Sequence, residues 1–475
     1  MSFSFDSFAG TGSTFPQRGD RSPIVLDDDG IWHPRSARRS APILTRYRDI
    51  THIGVSAQAL WLGARRSVYL LPRGNFENYD ALERLAGALR ARIQSLPDGE
   101  RRIENMDRID RASENAPKPR ATQALIVLCV AVYLVQLTLG YKVMLAGHYS
   151  PVLVADGDAW RILTANLLHA QGGFAGFAHI TLNLLALMAL GFLVERPLGS
   201  ARTACVMGVS GVCAMLTGGM FGNSMVVGAS GIVFGLVGSV LWLDYRHAAE
   251  LPAWWRFPRR SLWILLAINL VIGALVPFIA LAAHIGGLLS GAAATALVGR
   301  RILARPALWI RALCGVLLTA TIFSVATAGM DVFADGNAAA RYAARKSRLP
   351  GISPVELNDH AWMIATAPDV TQEELEAALL LAERAVTETA RSEATILDTL
   401  AEVQFGLGRD ADAIRTIDEA IALEPDDDYY REQRRRFTGE RAREDRPEYI
   451  PPMFRDPNEP HPPVEIEPED PGLTV

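Results

Sequence analysis

Two side chains that could act as a nucleophile and its base lie in apolar stretches of this chain. Ser230 lies in VVGASGIVFG (226–235), and His284 lies in ALAAHIGGLLSG (280–291). A serine hydroxyl is a weak nucleophile until a neighbouring imidazole takes its proton. Because polar side chains are costly inside a bilayer, such residues point to a functional site. We find no buried Asp or Glu to serve as a third member, so the pattern predicts a Ser-His dyad.

Glycines beside both residues suggest how they could meet. Gly231 and Gly235 are four residues apart, and Gly287 and Gly291 repeat that spacing. Small residues at this spacing let two membrane helices approach closely. A serine side chain is short, so it reaches an imidazole on another helix only at such a separation. Phe234, one turn after Ser230, is a candidate to orient the imidazole.

Other polar residues occur in the apolar stretches. His179 and Asn183 are spaced i, i+4, which places them on one face of one helix. We expect Asn269 to join two helices by a hydrogen bond. Each polar residue alone also has a structural explanation: Ser230 could bond a carbonyl of its own helix, and Asn183 could bond a neighbouring helix. The catalytic hypothesis rests on their joint occurrence.

Seven stretches are long and apolar enough to cross a bilayer. The hydrophobic fraction of 49% is high for a chain with such charged ends. The predicted spans are 121–141, 178–195, 203–222, 226–244, 262–280, 281–299 and 312–330, with Pro277 marking the turn between the fifth and sixth.

Basic residues set the predicted orientation. Arginines cluster before the first span and in alternate connections, such as Arg256, Arg259 and Arg260, whereas the long 142–177 loop has only Lys142 and Arg161. Positively charged connections stay in the cytoplasm. The N-terminus is therefore predicted inside, and the odd number of spans places the C-terminal region outside.

The motifs resemble those of the rhomboid intramembrane serine proteases, over about residues 121–299. HITLN (179–183), GASG (228–231) and AHIGGLLSG (283–291) carry the resemblance, together with WRILTANLLHA (160–170) and VERPLGS (194–200). The resemblance implies six core helices around a water-filled cavity, and the seventh span resembles the variant with one appended helix.

The resemblance also implies residue roles. Ser230 would be the nucleophile and His284 the general base, with the Ser230 backbone N–H, His179 and Asn183 forming the oxyanion hole. Bacterial relatives often carry Tyr four residues after the serine, where this chain has Phe234. We expect four residues to pack around the active site: Gly228, Gly231, Phe234 and Gly287. We expect four others to have structural roles: Trp160, Arg161, His169 and Glu195.

The remaining residues predict terminal domains around the membrane core. Residues 21–96 alternate short apolar segments and end in a helical pattern, which resembles a pleckstrin-homology-like domain. Residues 350–440 resemble tetratricopeptide repeats, with Gly408, Ala413 and Pro425 at matching positions; an ordinary helical hairpin stays open as the alternative. Residues 1–20 and 441–475 are predicted to be disordered and 97–120 to be a charged linker.

The predicted fold class is therefore a polytopic α-helical membrane protein with a small N-terminal α+β domain and a C-terminal all-α repeat domain. The predicted function is intramembrane serine endopeptidase activity on transmembrane protein substrates in the bacterial inner membrane, without metal or cofactor. The repeats could bind a protein partner. A catalytically silent rhomboid-like adaptor or chaperone is the alternative; a transporter is disfavoured because no repeat of broken, charged helices occurs.

Nucleic-acid binding and metal binding by cysteines are also disfavoured. The net charge is −5, and no basic stripe is interleaved with aromatic residues. The four cysteines lie inside apolar stretches without metal-binding spacing. The N-terminal residues lack the pattern of a signal peptide.

Overall fold

The computed structural model describes residues 13–19, 21–34, 42–78, 80–170, 173–221, 225–275, 280–333 and 338–447. The chain divides into two compact units, Met1–Glu356 and Leu357–Val475.

The first unit begins with two antiparallel sheets and a helix. The strands of the first sheet are β1 (Ser13–Phe15), β2 (Ile24–Leu26), β3 (Gly30–Pro34) and β4 (Pro42–Arg46); those of the second are β5 (Ile50–Val55), β6 (Ala59–Ala64) and β7 (Ser67–Pro72). Strands pair in chain order within each sheet. Helix α1 (Ala81–Gln94) buries Leu82, Leu85 and Leu89 against them, because residues spaced by three and four share one helix face. The predicted strands and their closing helix are confirmed.

Two boundaries differ from the prediction. Residues 1–20 were expected to be disordered, but they contain strand β1. This strand is ordered by its pairing with β2. The expected charged linker contains helix α2 (Gly99–Glu114), whose buried residues include Met106 and Ile109. The guanidinium of Arg102 donates to the carbonyl oxygens of Tyr47 and Ile50. The sequence suggested a linker because the frequent charges of α2 hide its narrow apolar stripe.

The membrane part contains long helices and one helical loop. Its elements are α3 (Arg120–Leu139), α4 (Tyr141–Gly147), α5 (Pro151–Ala155), α6 (Arg161–Thr164), α7 (Gly173–Leu198), α8 (Ser200–Met220), α9 (Ser230–His247), α10 (Arg259–Leu275), α11 (Leu281–Val298) and α12 (Leu308–Phe333). Six helical segments in the described residues have the length and hydropathy to cross a membrane: Arg120–Leu139, Gly176–Leu198, Ser200–Met220, Ala253–Leu275, Leu281–Val298 and Leu308–Phe333. The protein is therefore a multi-pass membrane protein.

Helix α9 corresponds to the predicted fourth span, and it is not among these six segments of the described residues. It begins at Ser230 rather than at residue 226, and its last two turns carry Asp244 and Arg246. Its centre is shielded by α7, α8 and α11, so residues such as Leu236 and Ser239 are fully buried. Pro277, the expected turn residue, lies outside the described residues.

The end of the bundle near the chain's N-terminal sheets is held by charged side chains. The Glu195 carboxylate accepts 2.8 Å hydrogen bonds from the backbone N–H groups of Ala121 and Thr122 in the first turn of α3. These N–H groups have no acceptor within their own helix, so the carboxylate caps it. Asp244 pairs with Arg256 and Arg259. Glu195, expected to be structural, therefore lies at the end of α7 far from His179.

The rest of the described chain is helical. Helix α13 (Ala338–Lys346) closes the first unit, and α14 (Pro354–Ala365) crosses the boundary. The second unit contains α15 (Gln372–Glu388), α16 (Ala394–Gly406), α17 (Asp410–Leu423) and α18 (Asp428–Thr438), and each packs against the next. Small residues such as Ala382, Ala401 and Ala413 are fully buried in these helices. The C-terminal all-helical region is confirmed, and its assignment to tetratricopeptide repeats stays a prediction.

A buried carboxyl group makes the stability of the second unit dependent on pH. Burial, together with neighbouring Glu402, raises the pKa of Asp398 to about 7. In the unfolded chain this group titrates near 4, so between these values the folded state holds a proton that the unfolded state has lost. Its contribution to stability is therefore present below pH 4 and is lost as the pH rises through 7.

We expect the unfolding temperature of the C-terminal helices to fall between pH 5.5 and 8.5, and Asp398→Asn to flatten that slope because the amide does not titrate. Circular dichroism at several pH values measures both slopes. Asp369→Asn, on a residue outside the helices, is the matched control. Equal slopes in all three proteins would contradict this account.

Candidate active site

Ser230 and His284 are brought together by the starts of two helices. Ser230 is the first residue of α9, and His284 lies in the first turn of α11. The Ser230 hydroxyl oxygen lies 2.9 Å from His284 Nε2. Both residues are only partly buried. A neutral imidazole that carries its proton on Nδ1 would accept the serine proton at Nε2, which is the geometry of a nucleophile and its base.

Direct contact between glycine backbones allows this approach. A Cβ placed on Gly287 would lie 2.1 Å from the carbonyl oxygen of Gly231, and one on Gly291 would lie 2.2 Å from that of Gly235. Neither position leaves room for a methyl group. The structure thus places the two glycine pairs from the sequence opposite each other, one turn apart, along the contact between α9 and α11.

Phe234 holds the plane of the imidazole. Its ring stacks on that of His284 with 4.3 Å between centroids and 8° between planes. Among the described residues, no hydrogen-bond partner meets the buried Nδ1 of His284. Orientation therefore comes from stacking and helix packing rather than from a carboxylate, which is the arrangement of a dyad.

His179, on helix α7, approaches Gly228 in the turn that precedes Ser230. Its Nδ1 accepts a 3.2 Å hydrogen bond from the backbone N–H of Ala170, which leaves the proton of a neutral ring on Nε2. This Nε2 lies 3.2 Å from where a Cβ on Gly228 would be, and Gly228 has φ +112°. Both crowding and backbone conformation require glycine there. A hydrogen-bond donor is thus directed at the turn that precedes Ser230.

Asn183 lies one turn below His179. Its amide Nδ2 donates to the His179 carbonyl oxygen at 2.8 Å, and its side chain is buried. An amide group carries two N–H donors, so one remains for another acceptor. Asn269, which we expected to join two helices, instead bonds the Leu265 carbonyl of its own helix and is exposed. That expectation was wrong because α10 turns this position outward.

Residues 141–169 form a loop of short helices over the same end of the bundle, which we name loop 1. Buried Arg161 lies at its centre and donates to the Asp158 carboxylate at 2.8 Å and to the Leu145 carbonyl at 2.7 Å. Trp160 Nε1 lies 3.3 Å from the Ala146 carbonyl. The structure therefore places Trp160 and Arg161 where they hold the fold of loop 1, away from the Ser230 hydroxyl.

His169 joins the end of loop 1 to the first membrane helix. Its backbone N–H and carbonyl both bond the side-chain amide of Gln136, at 3.1 and 3.0 Å. Burial, with His179 nearby, lowers the pKa of His169 to about 4, so the ring is neutral at physiological pH. His169 thus contributes to the wall behind His179.

Two contacts of the site are not predicted by the sequence patterns. Gln136 lies in an apolar span, so its polarity alone was a signal. Tyr149 of loop 1 forms an antiparallel bridge with Val226, with N···O distances of 3.1 and 3.3 Å. Nothing local in the sequence marks this bridge, because it joins residues 77 positions apart.

Comparison with known proteins identifies the part of the chain that holds this geometry. Residues 156–301 match the model of the Rhomboid domain. Rhomboid protease GluP of Bacillus subtilis (strain 168) is 33% identical over 147 residues, which is 31% of this chain and 27% of that protein.

Two further relatives are similar to part of this chain. RHOMBOID-like protein 6, mitochondrial, of Arabidopsis thaliana is 34% identical, over 29% of this chain and 43% of that protein. Rhomboid protease GlpG of Klebsiella pneumoniae (strain 342) is 30% identical, over 36% of this chain and 60% of that protein. The chain thus spans between about a quarter and three-fifths of these relatives.

The contact between α9 and α11 predicts that one added methyl group will destabilise the fold and disturb the site. Because a Cβ on Gly287 would overlap the Gly231 carbonyl, we expect Gly287→Ala to separate the helices and cost about 1–3 kcal/mol in the free energy of unfolding. The Ser230 to His284 contact should be lost with it. Thermal unfolding in detergent and the rate of serine labelling by a fluorophosphonate measure the two effects.

Gly315→Ala is the matched control, since a Cβ there meets no atom within 4 Å. It should leave stability and labelling unchanged. Equal behaviour of the two variants would mean that the helices do not depend on this contact.

Proposed function

This chain carries a rhomboid domain, and from that domain we propose that the protein is an intramembrane serine endopeptidase. Rhomboid proteins are generally intramembrane serine proteases. The observation that carries the proposal is the 2.9 Å contact between the Ser230 hydroxyl and His284 Nε2. The proposed substrates are membrane proteins, cleaved in or near a transmembrane helix.

Acylation would require nucleophilic attack with proton transfer to His284, cleavage of the C–N bond, and protonation of the leaving amine. The Ser230 oxygen attacks the carbonyl carbon of the scissile peptide bond while its proton passes to His284 Nε2. The tetrahedral intermediate then collapses, its C–N bond breaks, and the imidazolium gives the proton to the leaving amine. The products of this half-reaction are a new N-terminus and an ester on Ser230.

The oxyanion of the intermediate would lie between the start of α9 and His179. The first N–H groups of a helix have no intrahelical acceptors, and the helix dipole adds positive potential there. The Nε2–H of His179 and the free N–H of Asn183 would be additional donors. Fixed donors at such a site are worth about 3–4 kcal/mol each in the barrier.

Deacylation reverses these roles with water in place of the amine. His284 takes a proton from water, the hydroxide attacks the ester carbonyl, and Ser230 recovers its proton as the acid leaves. Water must therefore reach residues inside the bundle. Ser230 and His284 both lie at helix starts and are partly exposed, which supports access from the membrane surface beside loop 1.

The substrate helix must open locally before attack. A helical carbonyl is hydrogen-bonded and shielded by its own turn, so glycine or other weak helix formers near the cleaved bond would lower the cost of opening. We therefore propose substrates with small or helix-weakening residues at that point.

The dyad predicts which serine reacts. We expect Ser230→Ala to abolish labelling by a fluorophosphonate and to lower proteolysis of a transmembrane reporter by at least about 10³-fold. His284→Ala should have nearly the same effect, because the hydroxyl then has no base.

Ser290→Ala is the matched control. Ser290 is a partly buried serine of α11 whose hydroxyl bonds the Gly286 carbonyl of its own helix, so its loss should leave labelling unchanged. An intact protein that binds membrane substrates without being labelled would instead be a catalytically silent adaptor.

We also propose that the site faces the exterior of a bacterial inner membrane and that the N-terminal sheets are cytoplasmic. Arginines at the opposite end of the bundle support this orientation, since basic connections stay inside. Alkaline phosphatase fused after Val475 should therefore be active, and the same enzyme inserted after Glu250 should be inactive. The reverse pattern would invert the topology.

A further inference from the structure

The segment that follows the last membrane helix packs against loop 1. This segment, residues 338–356, contains α13 and the first turn of α14, and we name it the brace. It approaches two residues of loop 1, His148 and Ser150, which are fully buried and lie on either side of Tyr149.

The first contact joins Tyr342 to His148. The Tyr342 hydroxyl lies 3.2 Å from His148 Nε2, and His148 Nδ1 lies 2.9 Å from the Met144 carbonyl. The Nδ1 therefore donates, and Nε2 accepts from the tyrosine. Burial, with Lys346 and Arg161 nearby, lowers the pKa of His148 well below its ordinary value, which keeps the ring neutral.

The second contact joins Glu356 to Ser150. The Ser150 hydroxyl donates to Glu356 Oε1 at 2.9 Å, and the buried Lys346 ammonium bonds the same oxygen. Lys346 and Glu356 are both almost fully buried. Removing two charges from water is expensive, so a buried ion pair is weak as a source of stability and better suited to fixing one arrangement.

A salt bridge at the surface extends the contact. Arg345 Nε lies 2.8 Å from Asp156 and its Nη1 lies 3.0 Å from Asp158. Asp158 also accepts from the buried Arg161 at the centre of loop 1. The brace is therefore connected to loop 1 at three places rather than resting on it at one.

The braced residues connect to the nucleophile through Tyr149. Tyr149 exchanges two backbone hydrogen bonds with Val226, which lies four residues before Ser230. The Tyr149 ring is buried against Gly219, where a Cβ would lie 2.6 Å from its hydroxyl oxygen. Loop 1 is therefore bonded to the segment that leads into GASG (228–231), and the brace contacts loop 1 on both sides of that bridge.

We propose that Tyr342, Lys346 and Glu356 are positioning residues that set the place of the Ser230 hydroxyl through loop 1 and the Tyr149 to Val226 bridge. This inference rests on the proposed function of Ser230 and extends it. In this proposal the brace helps to position the active site.

Two conservative substitutions test the proposal with little loss of volume. Ser150→Ala with Tyr342→Phe removes the Ser150 to Glu356 and Tyr342 to His148 bonds, together with the 3.1 Å bond from Lys346 Nζ to the Tyr342 hydroxyl, while the Lys346 to Glu356 pair remains. Each buried hydrogen bond contributes about 1 kcal/mol, which is about fivefold in a rate if the bond holds the reactive geometry. We expect kcat and the fluorophosphonate labelling rate to fall at least fivefold, with KM unchanged.

Thr327→Val with Thr416→Val is the matched control, because it removes two hydroxyls that bond Phe323 and Gln404, outside loop 1. It should label at the wild-type rate. Wild-type labelling by the Ser150 and Tyr342 double variant, or an equal loss in the control, would overturn the proposal.

Hydrogen exchange separates this proposal from the proposed function. In a Ser230→Ala background, which has no nucleophile, we expect the double variant to speed exchange of the Tyr149 and Val226 amides while the centre of α11 stays protected. Faster exchange with no labelling of the wild-type protein would sustain the brace and reject the protease. Unchanged exchange at both amides would reject the brace.

Discussion

The backbone contact between α9 and α11 is the constraint on which the site depends. A serine side chain has one carbon, so its hydroxyl reaches an imidazole only if the two helices touch. Gly231 against Gly287 and Gly235 against Gly291 remove the atoms that would keep them apart. Glycine lowers helix propensity by about 1 kcal/mol per residue relative to alanine, and here that cost accompanies a geometry that no larger residue permits.

The rest of the site adapts to that contact. Phe234 extends from the same helix face as Ser230 one turn later, and its ring lies flat on His284. In a triad a carboxylate would hold the ring by a hydrogen bond. Stacking performs the orientation without placing another charge inside the membrane, where a carboxylate would need its own partner. Gly228 then allows the turn before Ser230 to pass close to His179.

Much of this structure could be predicted from local sequence patterns, whereas its long-range contacts could not. The apolar spans, the glycine spacing and the i, i+4 pair of His179 and Asn183 were readable because each depends on residues near one another in the sequence. The core of the N-terminal sheets extends to α2, which the frequent charges of residues 99–114 concealed. The Tyr149 to Val226 bridge and the Lys346 to Glu356 pair form only when the chain folds, so no spacing pattern in the sequence predicts them.

The two ends of the bundle solve the same problem with different chemistry. At the end near the N-terminal sheets, Glu195 caps α3 and Asp244 pairs with two arginines, so charges close the structure. At the other end, where the proposed reaction brings water and a developing negative charge to Ser230, the groups near the hydroxyl are neutral: a phenyl ring, imidazoles and an amide. The buried charges at this end, Arg161 with Asp158 and Lys346 with Glu356, lie in loop 1 and in the brace. Fixed charges hold loop 1, and in our proposal loop 1 positions the turn that precedes Ser230. A charge beside His284 would change the proton affinity of its imidazole, on which the proposed proton transfer depends.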